Sequence, residues 1–190
     1  MKKLMMTMAT VVTLVMGARA ATTPIEISLI CFPLSIPWCE NVSGFRLDLL
    51  SGINKDVSGL DIGTLVNITE EKAKGLQICG FYNHIGEGEG IFQLAGLLNR
   101  CDGNYTGLQL AGIYNEVDGM LSGGALAAMN QAKFVQGLQM GIFNNARTLS
   151  GMQLGLVNFA DDADRGVQVG IVNVMPNAKI PVSVIVNIGF

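Results

Sequence analysis

The residues equipped for chemistry are few: four cysteines, a single histidine at His84, and two short acidic runs. Cys31 and Cys39 flank a stretch broken by Pro33 and Pro37, where a disulfide would close a short loop; four cysteines allow three pairings in all. Cys79 falls within an alternating apolar segment and Cys101 in the connection that follows the next one, which suits small buried thiols better than a bridge. With no Cys-x-x-Cys pair and one histidine, zinc has no ligand set. Asp161, Asp162 and Asp164, or Glu87 with Glu89, have the oxygen chemistry of a calcium site. A calcium β-roll repeats its ligands in every turn, whereas these acids are confined to single connections, so solvated loops are the expectation. Glycoside hydrolysis needs two carboxyls about 5 to 10 Å apart, and no spacing here selects a pair. There is no Gly-x-Ser-x-Gly elbow and no phosphate loop. The sequence thus names no catalytic residue, no metal and no cofactor.

What the sequence does contain is a phrase of eight or nine residues that returns from end to end. Its clearest copies run from Gly75-Leu-Gln-Ile to Asn83, Gly107-Leu-Gln-Leu to Asn115, Gly151-Met-Gln-Leu to Asn158 and Gly166-Val-Gln-Val to Asn173. Starts at Gly44, Gly59, Gly75, Ile91, Gly107, Ser122, Gly137, Gly151, Gly166 and Pro181 recur at steps of 14 to 16 residues. The phrase closes on Asn67, Asn83, Asn99, Asn115, Asn130, Asn145, Asn158, Asn173 and Asn187, with Asn54 a looser first instance. Its glutamine stands at Gln77, Gln93, Gln109, Gln139, Gln153 and Gln168. A side-chain amide carries donors and an acceptor, so identical amides in register can hydrogen-bond up a column. Asparagine as a plain turn former and glutamine as a plain outward polar residue is the other reading, and both lead to one architecture.

Apolar residues occupy every second position of a copy, as Met152, Leu154 and Leu156 do, which predicts a strand with its apolar face buried and the glutamine face opposite. The connections, such as Glu70 to Lys74, Gly86 to Gly90, Asp102 to Asn104 and Asp161 to Asp164, are polar and turn-rich. The fold class predicted is all-β: a β-solenoid of about ten coils of 14 to 16 residues behind an N-terminal cap. An up-and-down β-barrel is the alternative, but its neighbouring strands alternate in direction and meet different turns, which gives a strict one-strand repeat no reason to persist.

Residues 1–20 read as a secretory signal, with Lys2 and Lys3, an apolar run from Leu4 to Met16, and Ala18-Arg19-Ala20 before the cut. Residues 21–43 read as the cap, and 44–190 as the repeat solenoid. Removing Lys2, Lys3 and Arg19 takes the formal net charge from −3 to −6, a poor balance for a nucleic-acid partner. The expected destination is the cell surface, outer membrane or periplasm of a bacterium, with an unknown surface or envelope partner.

The Gly-Leu-Gln-x-Gly-x-x-Asn phrase resembles that of the bacterial surface repeat-containing proteins. The likeness extends to the lead-in, Ile27 to Pro37 and then Gly44 to Leu50, and to the close, Ile180 to Phe190. It implies surface location and repeats, and no catalytic residues. The function expected is a non-enzymatic, exported structural or binding module. Two further readings remain open. Val182, Val184, Val186 and Ile188 alternate up to Phe190 like the last strand of an outer-membrane barrel, which keeps membrane association in view. A carbohydrate-active solenoid enzyme is the third.

Overall fold

The computed structural model describes residues 22–28, 35–36 and 41–189. Cys31 and Cys39 lie outside the described residues. The described chain is strands and turns with no helix, and it winds as a parallel β-solenoid of about nine turns. Parallel pairing between successive turns excludes the up-and-down barrel, whose neighbours alternate in direction.

In chain order the strands are β1 (Thr22–Ser28), β2 (Ser35–Ile36), β3 (Asn41–Asp48), β4 (Ser51–Asn54), β5 (Asp56–Gly63), β6 (Val66–Cys79), β7 (Tyr82–Ala95) and β8 (Leu98–Cys101). They continue as β9 (Tyr105–Ala111), β10 (Tyr114–Leu126), β11 (Met129–Val135), β12 (Leu138–Leu149), β13 (Met152–Ala163), β14 (Val167–Val174) and β15 (Val182–Ile188). Each coil has a first side around the glutamine, a corner, a second side beginning at the asparagine, and a polar connection. The long strands run through connections because these too are bonded coil to coil, as in Glu71 N–H to Lys55 O (2.8 Å) and Gly103 N–H to Gly86 O (2.7 Å). Stacking like on like gives a turn-rich backbone a partner that an isolated loop would lack.

The glycine before the glutamine strand sits in a column at positive φ, 130° at Gly59, 100° at Gly75 and 142° at Gly107. A Cβ on Gly107 would run into the carbonyl oxygen of Ile91 one coil below, so coils approach here at a distance only glycine allows. The corner is longer in the early coils: Gln77 and Asn83 stand six positions apart, Gln153 and Asn158 five.

The structure corrects the sequence reading in four places. The two faces of the first side are reversed: Gln77, Gln93, Gln109, Gln139, Gln153 and Gln168 are fully buried, while the apolar residues flanking them point outward. At the sixth closing position the inward residue is Asn144, not Asn145. Asn144 pairs in register with Asn130 and Asn158, and Asn145, one position on, faces solvent because neighbouring strand residues point to opposite sides. The copy assigned to Ser122 begins at Gly123, which lies opposite Gly107. The final copy, from Pro181, does not make a coil: β15 turns back antiparallel on β14, leaving about nine turns rather than ten.

At the N-terminal end β1 pairs parallel with β3 and so serves as a first rung, with β2 antiparallel on its other edge. Asn54 stands one column beyond the asparagines, opposite Thr69, and Gly52 takes the place facing Asn67.

Candidate functional site

Two inward columns of amides run along much of the rod. In the asparagine column each Nδ2 donates to the next Oδ1, from Asn83 through Asn99, Asn115, Asn130, Asn144 and Asn158 to Asn173, at 2.8 to 3.0 Å. The second hydrogen of the same Nδ2 goes to a backbone carbonyl of the following coil, as from Asn83 to Leu94 (3.0 Å), Asn115 to Leu126 (2.9 Å) and Asn158 to Val169 (2.9 Å). Leaving such a carbonyl buried without any donor would cost about 1–3 kcal/mol. A primary amide supplies two donors and an acceptor at one point, which serine or aspartate cannot. Asn67 donates to Ile78 O (3.3 Å), and its Oδ1 is buried with no partner. Asn187, on β15, donates to Ile180 O (3.1 Å).

The glutamine column runs with the opposite polarity. Gln93 donates to Gln77 (2.6 Å), Gln109 to Gln93 (2.9 Å), Gln153 to Gln139 (2.8 Å) and Gln168 to Gln153 (2.9 Å). Ala125 interrupts it, lying in register between Gln109 and Gln139, and Gln109 Oε1 is left buried without a partner.

This column ends toward the N-terminus in charge. Gln77 Nε2 donates to Asp61 Oδ2 (2.7 Å), and the two rungs below carry Arg46 and Glu26 in register. Arg46, fully buried, donates from Nε to Asp61 Oδ1 (2.8 Å) and from Nη1 to Asn54 Oδ1 (2.8 Å), and Asn54 in turn donates to Glu26 Oε2 (2.7 Å). Its Nε also lies 2.7 Å from Asp48 Oδ2, a contact of charge without hydrogen-bond geometry, while Asp48 Oδ1 accepts from the Ser28 hydroxyl (2.8 Å). Burial pushes the Asp61 carboxyl up to about 6 against the opposing pull of Arg46 and Gln77, and raises Asp48 as well. The signal for this cluster was present in the sequence: Gly44-Phe-Arg-Leu and Gly59-Leu-Asp-Ile carry Arg46 and Asp61 where later copies carry glutamine.

Behind the second side the interior is aliphatic, with Ile85, Cys101, Val117, Ala132, Ala146 and Ala160 stacked beside Tyr105, Leu121, Val135 and Leu149. The Tyr105 hydroxyl has its one hydrogen shared between Ile91 O (3.0 Å) and Leu108 O (2.9 Å). Cys79 and Cys101 are buried free thiols, and burial pushes Cys101 up to about 11, far from a reactive thiolate.

The outside mirrors the inside. One outer column of the first side reads Ile25, Phe45, Leu60, Leu76, Phe92, Leu108, Gly124, Leu138, Met152, Val167, Ile188. The other reads Ile27, Leu47, Ile62, Ile78, Leu94, Leu110, Leu126, Met140, Leu154, Val169, Val186. Neither column holds a polar side chain. Past the corner, Tyr82, Leu98, Tyr114, Met129 and Phe143 form a third; its aromatic rings fall on alternate coils through Tyr114 and so do not stack on one another. Charge begins only at the next outward column, where His84, Arg100 and Glu116 align. Asp102 accepts from Arg100 Nε (2.8 Å) and lies 2.9 Å from His84 Nε2, contacts that hold its carboxyl below the usual range. Asp161, Asp162 and Asp164 and the pair Glu87 and Glu89 are exposed in connections, and no group of three potential metal ligands occurs among the described residues.

The chain matches no family model, no curated protein and no solved structure.

Proposed function

We propose that this protein is a non-enzymatic, exported repeat rod that acts as a structural or binding element at the bacterial cell surface or in the envelope, as its resemblance to surface repeat-containing proteins implies. The observation that carries the reading is the segregation of its outer surface. Two columns without a polar group run along one side, while the exposed charges lie on the second side and in the connections. A continuous apolar patch of this extent marks an interaction surface. The inner amides are buried and most of their donors go to one another and to backbone carbonyls, which holds the coil shut and leaves the outer surface to meet a partner.

Cell fractionation tests the reading, with sequencing of the mature N-terminus and protease treatment of intact cells. The expected result is a chain beginning near Ala21 that is recovered outside the cytoplasm and cleaved by external protease. Recovery in the cytosol with Met1 or Lys2 at its start would overturn it.

A further inference from the structure

We infer that the apolar flank is a self-association surface, and that its occupant is a second copy of this chain packed face to face. The inference rests on the proposed reading of the molecule as a structural or binding rod and names its partner.

The first argument is area. From the Ile25 and Ile27 rung to the Ile188 and Val186 rung, strands about 4.8 Å apart make a face roughly 48 Å long. The contour from the first outer column round the corner to the Tyr82 column spans about 20 Å at ~3.3 Å per residue. The product is on the order of 900 Å², above the ~300–600 Å² of the largest patch on an ordinary monomer. Its first-side part, about 13 Å wide at ~3.3 Å per residue, gives a flat contact of roughly 600 Å² per partner, the lower end of the ~1,200–2,000 Å² total of stable interfaces.

The second argument is periodicity. A copy of this chain presents ridges at the same rung spacing, so outer side chains of two such sheets can interdigitate along the whole length about 10 Å apart. A partner of different architecture would fall out of step within a few rungs. A two-fold relation makes the contact isologous and closed, so it stops at a dimer.

The third is relief. A shallow open depression of about 540 Å³ lies midway along the rod, where Ala95-Gly96, Ala111-Gly112 and Ala127-Ala128 form a small-residue floor at the corner beside Leu94, Leu110 and Leu126. Being central, it lies where a two-fold axis would set each copy's leucine ridge into the other's depression.

The experiment uses purified mature protein in detergent-free buffer, with mass measured by sedimentation equilibrium across about 1–50 µM. The expected result is twice the chain mass. Leu110→Lys with Leu126→Lys puts two charges on adjacent outer rungs without touching the inner amides, and should weaken dimerisation at least a hundredfold while leaving the β spectrum unchanged. Phe134→Lys, on an exposed residue of the opposite side, should leave the dimer intact. If the lysine pair does not fold, Leu110→Gln with Leu126→Gln carries the same direction with at least a tenfold loss.

A wild-type protein that is monomeric at 50 µM overturns the inference. So does a dimer that survives folded substitutions of either pair. A wild-type monomer that floats with phosphatidylethanolamine/phosphatidylglycerol vesicles overturns it in favour of a lipid surface. Cytosolic location in cells would sink the functional reading above while leaving this mass measurement intact.

Discussion

The two halves of the interior solve the same packing problem with opposite chemistry. Behind the charged second side the core is aliphatic, with Ile85, Val117, Leu121 and Leu149 fully or almost fully buried. Behind the apolar first side it is amide, with Gln93, Gln139, Asn99 and Asn158 just as buried. The difference follows from the backbone. Near the corner, carbonyls such as those of Leu94, Leu126 and Val169 accept from asparagine side chains of the preceding coil. In the aliphatic half the Tyr105 hydroxyl and the Cys101 thiol reach backbone carbonyls, and the other buried side chains there are chosen by the hydrophobic effect. The lesson is that in a coil this narrow the corner geometry outranks hydrophobicity in deciding what goes inside.

The sharpest way to break the amide half is at its charged end. Arg46→Met removes the cation that, among the described residues, faces Asp61 and Asp48 and should cost about 3–5 kcal/mol, because it leaves buried carboxylates uncompensated. Urea unfolding at pH 7 measures the loss. A variant as stable as wild type would mean that the cluster is not sealed from water.

The same end should give the protein an unusual pH response. Asp61 titrates at about 6 in the folded chain against an ordinary value of 3.8, so between those values the folded state binds more protons than the unfolded one. Its contribution is therefore complete below pH 3.8 and is lost as pH rises through 6, a change of up to about 3 kcal/mol. Asp48, also raised, acts in the same direction. Asp102, whose carboxyl is lowered, acts in the opposite one, but its exposure makes that contribution small. The urea midpoint should fall between pH 4.5 and pH 7 in wild type and stay nearly level in Asp61→Asn.

A matched pair of substitutions compares the halves directly. Asn115→Ala strips the donor from Asn130 Oδ1 and from the Leu126 carbonyl and should cost about 2–3 kcal/mol. Ile85→Val, in the aliphatic half, should cost about 1 kcal/mol. Equal losses in chemical denaturation would show that the ladder contributes no more than ordinary packing.

The smallest effect concerns the gap in the glutamine column. Ala125→Gln gives Gln109 Oε1 the donor it lacks and should stabilise by about 1 kcal/mol, visible as a small rise in Tm. A loss of stability would indicate that the rung at Ala125 has no room for a longer side chain.

Much of the architecture was legible in the residues. A phrase that recurs at 14 to 16 positions with one strand's alternation has no reason to persist in an antiparallel barrel, and the glycine, glutamine and asparagine columns align coil on coil. The charged end was legible too, once Arg46 and Asp61 are seen to occupy the glutamine position, yet nothing in a single copy says that such a residue is buried.

Three things were decided only in the folded chain. Alternation of period two defines two faces and is silent on which one closes inward; that choice appears only when one coil lies on the next, where the amides meet one another and the carbonyls of the following coil. The step from Asn145 to Asn144 was equally invisible, since two adjacent asparagines differ only in which side of the strand each faces, and a register shift of one residue reverses both. The reversal of β15 is the third, for the apolar alternation from Val182 to Ile188 fits a parallel or an antiparallel neighbour alike, and only its pairing with β14 gives its direction. The sequence by itself determined the period, the strand character and the stacking of like residues, because these follow from local alternation and repetition. The tertiary structure decided inside from outside, because burial of a hydrogen-bonding group depends on partners that lie 14 to 16 residues away along the chain.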